Sequence, residues 1–183
     1  MKKLYFGLFG VVLVIALTAF LVNNDTVDDV YTYYGIDGLN VEDKVIALDQ
    51  QSLDGAIISA GILETELIIN TENSENKYDI PEGKFYLSFA PYINTTHPCH
   101  NHNLVTCQSE LANETMNVMI EDDSGDVYLD DEITLYDNGF YGIWLPSSAD
   151  YSITVEYQDK TVTADFSTYE DSGTCLTEPL KLT

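Results

Sequence analysis

Three features of this 183-residue chain predict a mainly β protein: a small α+β N-terminal part, then a C-terminal antiparallel β-sandwich carrying a long Cys/His loop. Aromatic and β-branched residues are plentiful, with 13 tyrosines, and such side chains suit a half-buried pleated surface better than a helix. From Phe85 onward, short runs of strand-forming residues recur with turn signals between them, the spacing of a sandwich. One stretch breaks that rhythm. Between Phe89 and Met116 lie about 25 residues without strand pattern, a length at which a loop in a compact domain is usually functional or disordered.

The elements follow in chain order. Met1-Lys2-Lys3 and the uncharged, mostly apolar run from Leu4 to Val22 form a basic start and an export segment. The run is long for a signal's apolar core and just long enough to span a bilayer. A cleavage site is poorly formed, Ala16-Leu17-Thr18-Ala19 being the best candidate, so a cleaved signal peptide and a retained membrane anchor both fit residues 1–24. No Cys follows, which excludes a lipoprotein anchor. Either fate puts the body outside the cytoplasm. Residues 25–82 read as the small α+β domain. Residues 26–60 look partly helical, with a turn at Asp37-Gly38. Asn40 can cap a helix whose first turn holds Glu42 and Asp43, where the helix dipole favours acids, and Val45, Ile46 and Leu48 supply its buried side. Glu64 to Asn70 reads as a strand, Asn70 to Asn76 as a polar loop, and Ile80-Pro81-Glu82-Gly83 as a turn that marks a soft boundary.

Residues 83–183 are read as seven strands. Phe85 to Phe89 is the first. Met116, Val118 and Ile120 share a face of the second, and Asp123-Ser124-Gly125-Asp126 turns into Val127 to Leu129. Asp137-Asn138-Gly139 turns into Phe140 to Leu145, closed by Pro146. Tyr151, Ile153, Val155 and Tyr157 alternate with polar residues. After a Gln158-Asp159 turn, Val162, Ala164 and Phe166 do the same, and Leu176 to Leu182 is the last strand.

Charge excludes whole classes of partner. Thirty-one acidic residues stand against seven basic ones, all lysine. A surface this negative repels phosphate backbones, so nucleic acid is not a ligand. The absence of Arg removes bidentate phosphate clamps. A solvated surface suited to salt or high external pH explains the acidity, and so does a field that gathers cations near a metal site.

Against that background one stretch carries the chemistry. Thr96 to Cys107 holds all three histidines, His97, His100 and His102, and two of the three cysteines, Cys99 and Cys107; the third is Cys175. Were residues 99–107 helical, Cys99 and His102 would share a face, with His100 and Cys107 on a neighbouring one. Thiolate with imidazole suits Cu(I) or Zn(II), not Ca(II) or Mg(II). The paired spacings of structural zinc sites are missing. Outside the cytoplasm thiols tend to pair, and three cysteines make one disulfide and one free thiol. A structural staple beside exposed histidines, Cys99–Cys107 or either one with Cys175, is therefore the alternative. The acids from Glu121 to Asp126 fit a hairpin turn better than a calcium loop, since Gly125 is misplaced for one. Nucleophile elbow, phosphate loop and His-Glu-x-x-His are all absent, so the residues point to metal binding and not to hydrolysis.

Several motifs are together recognisable. Phe89-Ala90-Pro91-Tyr92, Asn94-Thr95-Thr96-His97-Pro98-Cys99, His102, Cys107, Gly142-Ile143-Trp144-Leu145-Pro146, Phe166-Ser167-Thr168 and Thr174-Cys175-Leu176 resemble the CueP family of periplasmic copper-binding proteins. The resemblance runs from about residue 35 to the C-terminus. It implies an extracytoplasmic copper-tolerance protein that sequesters Cu(I) through Cys and His, or delivers it to a copper-accepting extracytoplasmic protein, with Cu(II) reduction by a thiolate as a further capacity. Zinc is the lesser occupant. It also implies an N-terminal domain able to form a homodimer, and contact with the membrane only through the N-terminal segment. By the same resemblance Cys107–Cys175 is the disulfide and Cys99 the working thiol. His102 is the best-placed imidazole, ahead of His97 and His100. The competing description is an exported, disulfide-stapled β-sandwich interaction module with no metal role.

Overall fold

The computed structural model describes residues 30–51 and 58–183; the export segment expected at 1–24 lies outside them. The chain divides into two compact units, one ending at Leu39 and one running from Asn40 to Thr183. In the first, residues 30–33 are helical and the Ile36 amide closes the turn by donating to the Tyr31 carbonyl.

The second unit begins with helix α1, Val41–Asp49. Asn40 caps it as its sequence predicts: the side-chain oxygen accepts from the Asp43 amide at 2.9 Å, and Glu42 and Asp43 occupy the first turn. Its buried residues are Lys44, Val45, Leu48 and Asp49; Ile46, expected inside, is only half-buried. A meander follows: β1 (Ser59–Ile62), β2 (Glu66–Asn70) and β3 (Glu75–Asp79), all antiparallel. The sequence reading places residues 59 and 60 in a helical stretch and ends the polar loop at Asn76. Here a tight turn, held by the Thr71 amide on the Ser74 carbonyl, starts β3 at Glu75 instead.

The sandwich is built from two sheets. One orders β10 (Cys175–Leu176), β4 (Lys84–Phe89) and β7 (Tyr141–Pro146); the other orders β6 (Val127–Thr134), β5 (Thr115–Asp122), β8 (Asp150–Tyr157) and β9 (Lys160–Ser167). All pairs are antiparallel except β10 with β4. Phe85, Leu87 and Phe89 meet Met116, Val118, Ile120, Tyr151, Ile153 and Val155 in the core, so the period-2 faces read from the sequence are the faces buried. Two strands differ most in length from expectation. β6 runs through Asp130-Asp131-Glu132 because it is an edge strand, where charge faces solvent and discourages a further strand from pairing. The last strand stops at Leu176: the Leu180 amide turns back onto the Thr177 carbonyl, and the chain rejoins the sheet only through the Tyr92–Lys181 bridge.

β4 is buried on both faces from Phe85 to Phe89. One face feeds the sandwich core. The other presents Tyr86 and Ser88 to Asp49 of α1, and the Cys/His loop gathers on that same side.

Candidate metal centre

The site is assembled by hydrogen bonds from two sides. Residues 99–107 form bends and turns, not the helical turn considered above. His102 is held at the free edge of β1: the Ile62 amide donates to the His102 carbonyl (2.9 Å) and the Leu104 amide to the Ala60 carbonyl (2.8 Å). Asn103 then accepts from the Val105 and Thr106 amides, an Asx turn that folds the chain back toward Cys107. From the other side comes the Gly173-Thr174-Cys175 segment. Thr174 accepts from the His102 amide and donates to the Ile62 carbonyl at 2.7 Å, while the Cys175 amide donates to the His100 carbonyl at 3.0 Å. Gly173 is required there, since a Cβ would stand 2.6 Å from the His100 carbonyl oxygen.

These bonds bring the sulfurs and imidazoles together in two overlapping groups. His97, Cys99 and Cys107 place their ligand atoms within 4.8 Å of one another, and so do Cys99, His102 and Cys175. Phe140 and Ala90 floor the cluster, with the His102 ring 4.5 Å from that of Phe140. His97, Cys99 and Cys107 are half-buried, so the group is reachable from solvent, whereas His102 is wholly buried. His100 is exposed and stands outside both groups, its ring against Gly173.

The disulfide joins Cys99 to Cys175, with a Cα–Cα distance of 5.6 Å, and leaves Cys107 as the free thiol. This corrects the pairing Cys107–Cys175 with Cys99 as the working thiol. The physical reason is the His100–Cys175 main-chain bond, which docks residue 99 beside β10 within bridging reach.

A buried carboxylate that the sequence reading passed over organises the centre. Asp49, the last residue of α1, is fully buried. Its Oδ1 lies 2.8 Å from His102 Nε2 and 3.2 Å from Asn138 Nδ2; its Oδ2 accepts from the Tyr86 hydroxyl at 2.7 Å and from Ser88 at 3.1 Å. Asn138 also donates to the Asp49 carbonyl at 2.7 Å, satisfying a C-terminal carbonyl of the helix. The other imidazole nitrogen, Nδ1, is 3.8 Å from Cys175 Sγ. Gly142 makes room for this arrangement: a Cβ there would land on the Tyr86 hydroxyl and stand 2.6 Å from Asp49 Oδ2.

The electrostatics follow from the geometry. Burial alone would lower the pKa of His102, but the Asp49 charge and hydrogen bond, helped by Cys107, raise it to about 9. Burial would raise the Cys107 thiol, yet the hydrogen bond and charge of His102 outweigh it and hold the thiol below its ordinary value. Burial, then Asp49, keeps the Tyr86 hydroxyl well above its usual range, so it remains a donor. The half-buried Cys107 thiol, the buried His102 imidazole and the fixed Asp49 carboxylate thus form one chain of interactions over an apolar floor. Thiolate sulfur and an imidazole nitrogen that has released its proton fit a soft cation.

Residues 43–180 match the family described as periplasmic copper-binding protein CueP. A solved structure described as that of S.CueP is 38% identical and superposes with a TM-score of 0.79, over 85% of this chain and 96% of that one. Among curated proteins no sequence matches the chain. Among the described residues, no helix is long and apolar enough to cross a membrane.

Proposed function

The chain belongs to the CueP family of periplasmic copper-binding proteins, and from that premise we propose that it binds Cu(I) outside the cytoplasm through Cys99, Cys107 and Cys175 with His102 and His97, holding the ion or passing it to an accepting protein. The observation that carries this reading is the convergence of all three sulfurs and two of the three imidazoles of the chain in two groups that share Cys99, one of them half-open to solvent. Cu(I) favours thiolate and imidazole at low coordination number, so a shallow cluster can take the ion and release it by ligand exchange. His100 is the least favoured ligand, and Zn(II) the lesser occupant. The acidic surface raises the local concentration of any cation.

Disulfide and copper compete for the same sulfurs. With Cys99–Cys175 closed, only Cys107 and the imidazoles are open as donors. With it reduced, all three sulfurs are. The reduced pair can also hand two electrons to two Cu(II) ions, giving two Cu(I), two protons and the Cys99–Cys175 disulfide; repetition then needs a thiol reductant. The chain is therefore a metal-handling protein in which any Cu(II) reduction is stoichiometric unless a reductant reopens the bond.

The test is an anaerobic Cu(I) titration of the reduced protein against a competing Cu(I) chelator, alongside Cys107→Ser and Cys99→Ser. One tightly bound equivalent, weakened in both variants, supports the reading. Binding no tighter than in the variants overturns it and leaves a disulfide-stapled surface module as the better description.

A further inference from the structure

We propose that Asp49 is the positioning residue of the copper site: through its bond to His102 Nε2 it dedicates Nδ1 to the metal, so that His102 binds Cu(I) by Nδ1 alone. This rests on the copper reading above and adds the orientation of its buried imidazole.

An imidazole can bind a metal through either nitrogen, and the bond made by the other nitrogen decides which. Here the choice is built in from outside the loop. Nε2 faces Asp49 Oδ1 at 2.8 Å, while Nδ1 faces the sulfurs, 3.8 Å from Cys175 Sγ. Turning the ring over to offer Nε2 would break the Asp49 bond and leave the buried Oδ1 with Asn138 alone, at 3.2 Å. The carboxylate itself cannot swing to follow. Tyr86 and Ser88 fix Oδ2, and Asn138 holds Oδ1 and the main-chain carbonyl of the same residue. The His102 main chain is pinned separately, by Ile62 and Thr174. Ring and carboxylate are thus each held by groups other than the sulfurs. In metal sites, loss of such a carboxylate partner typically lowers affinity 10–100-fold.

Because Cu(I) is diamagnetic, the arrangement can be read directly by long-range proton–nitrogen NMR on the Cu(I)-loaded full chain. The expected result is a His102 ring with the proton retained on Nε2 and the copper-induced shift on Nδ1. Asp49→Asn should weaken Cu(I) 10–100-fold in the chelator competition while its thermal unfolding stays cooperative. Tyr86→Phe, which removes one anchor of the carboxylate and no charge, should weaken it in the same direction by less. A copper-induced shift on Nε2, or His102 nitrogens that do not respond to bound copper, overturns the proposal while leaving the copper reading intact. A wild-type protein that holds no Cu(I) overturns both, and is told apart by the titration before any spectrum is recorded.

Discussion

Gly142→Ala should be among the most damaging small substitutions in the protein, although it adds one methyl group. The added Cβ would fall on the Tyr86 hydroxyl and 2.6 Å from Asp49 Oδ2, both fully buried. Neither partner can retreat freely. Tyr86 lies in the middle of β4 and is paired with Trp144, and Asp49 carries four side-chain bonds. Two costs add. Forcing an extra methyl into a packed site typically costs about 1–3 kcal/mol. Losing the hydroxyl–carboxylate bond costs about 1.5–3 kcal/mol, since its acceptor is charged and buried. The expected loss is therefore roughly 2.5–6 kcal/mol, a large share of the ~5–15 kcal/mol by which domains are stable. Urea unfolding of wild type, Gly142→Ala, Tyr86→Phe and the double variant measures it. Tyr86→Phe should show the hydrogen-bond share alone. In that background the glycine substitution should cost less, because the bond is already gone, and the coupling should exceed about 0.5 kcal/mol. A Gly142→Ala protein within 0.5 kcal/mol of wild type, or strict additivity of the two changes, would refute the packing of Tyr86, Gly142 and Asp49 described above.

Three further outcomes follow from the same geometry. Cys175→Ser removes a bond between residues 76 apart in sequence, and the chain-entropy relation puts the stability lost at about 4.5 kcal/mol; peptide mapping under non-reducing conditions should find Cys99–Cys175 in the parent protein, and a Cys107–Cys175 peptide would contradict it. Gly173→Ala pushes the His100 carbonyl away from the Cys175 amide, so in a glutathione buffer the equilibrium should shift toward the dithiol, by about tenfold if ~1.4 kcal/mol is lost from the disulfide form; an unchanged ratio counts against that contact as what docks Cys99. His102 has its pKa raised from 6.5 to about 9 on folding, so the stability it contributes is fully present below pH 6.5 and is lost as pH climbs to about 9, at most about 3 kcal/mol, while the depressed Cys107 thiol works in the opposite sense over its own titration. The urea midpoint of Cys107→Ser should therefore fall between pH 6 and 9.5 and that of the double variant Cys107→Ser/Asp49→Asn should not; equal slopes would contradict the Asp49–His102 pairing.

The parts legible in the sequence are those written in local pattern. Period-2 alternation gave β5, β8 and β9 their buried faces, because one side of a strand must be apolar where a sheet packs on a sheet. Asn40 announced α1, because a cap bonds only to residues next to it in sequence. The Cys/His loop stood out by composition alone. What local pattern does not carry is which sulfur meets which. That depends on the edge of β1 and the start of β10, elements too short, at four and two residues, to show a period. The motif at Gly142 was visible, yet its reason is the Tyr86 hydroxyl, which lies 56 positions earlier in the chain.

Asp49 shows the limit most sharply, and also the signal that could have exposed it. In a chain with 31 acids a single aspartate carries no weight by composition. Its partners Tyr86, Ser88, His102 and Asn138 lie 37 to 89 residues away, so no spacing rule connects them. Its place, however, is electrostatically wrong for a surface residue. It ends a helix whose last turn has no basic side chain, where the dipole disfavours an anion. An acid on the buried face at the negative end of a helix is tolerated only if donors from elsewhere converge on it. In a chain whose histidines all sit in one loop, an imidazole from that loop is the donor to expect.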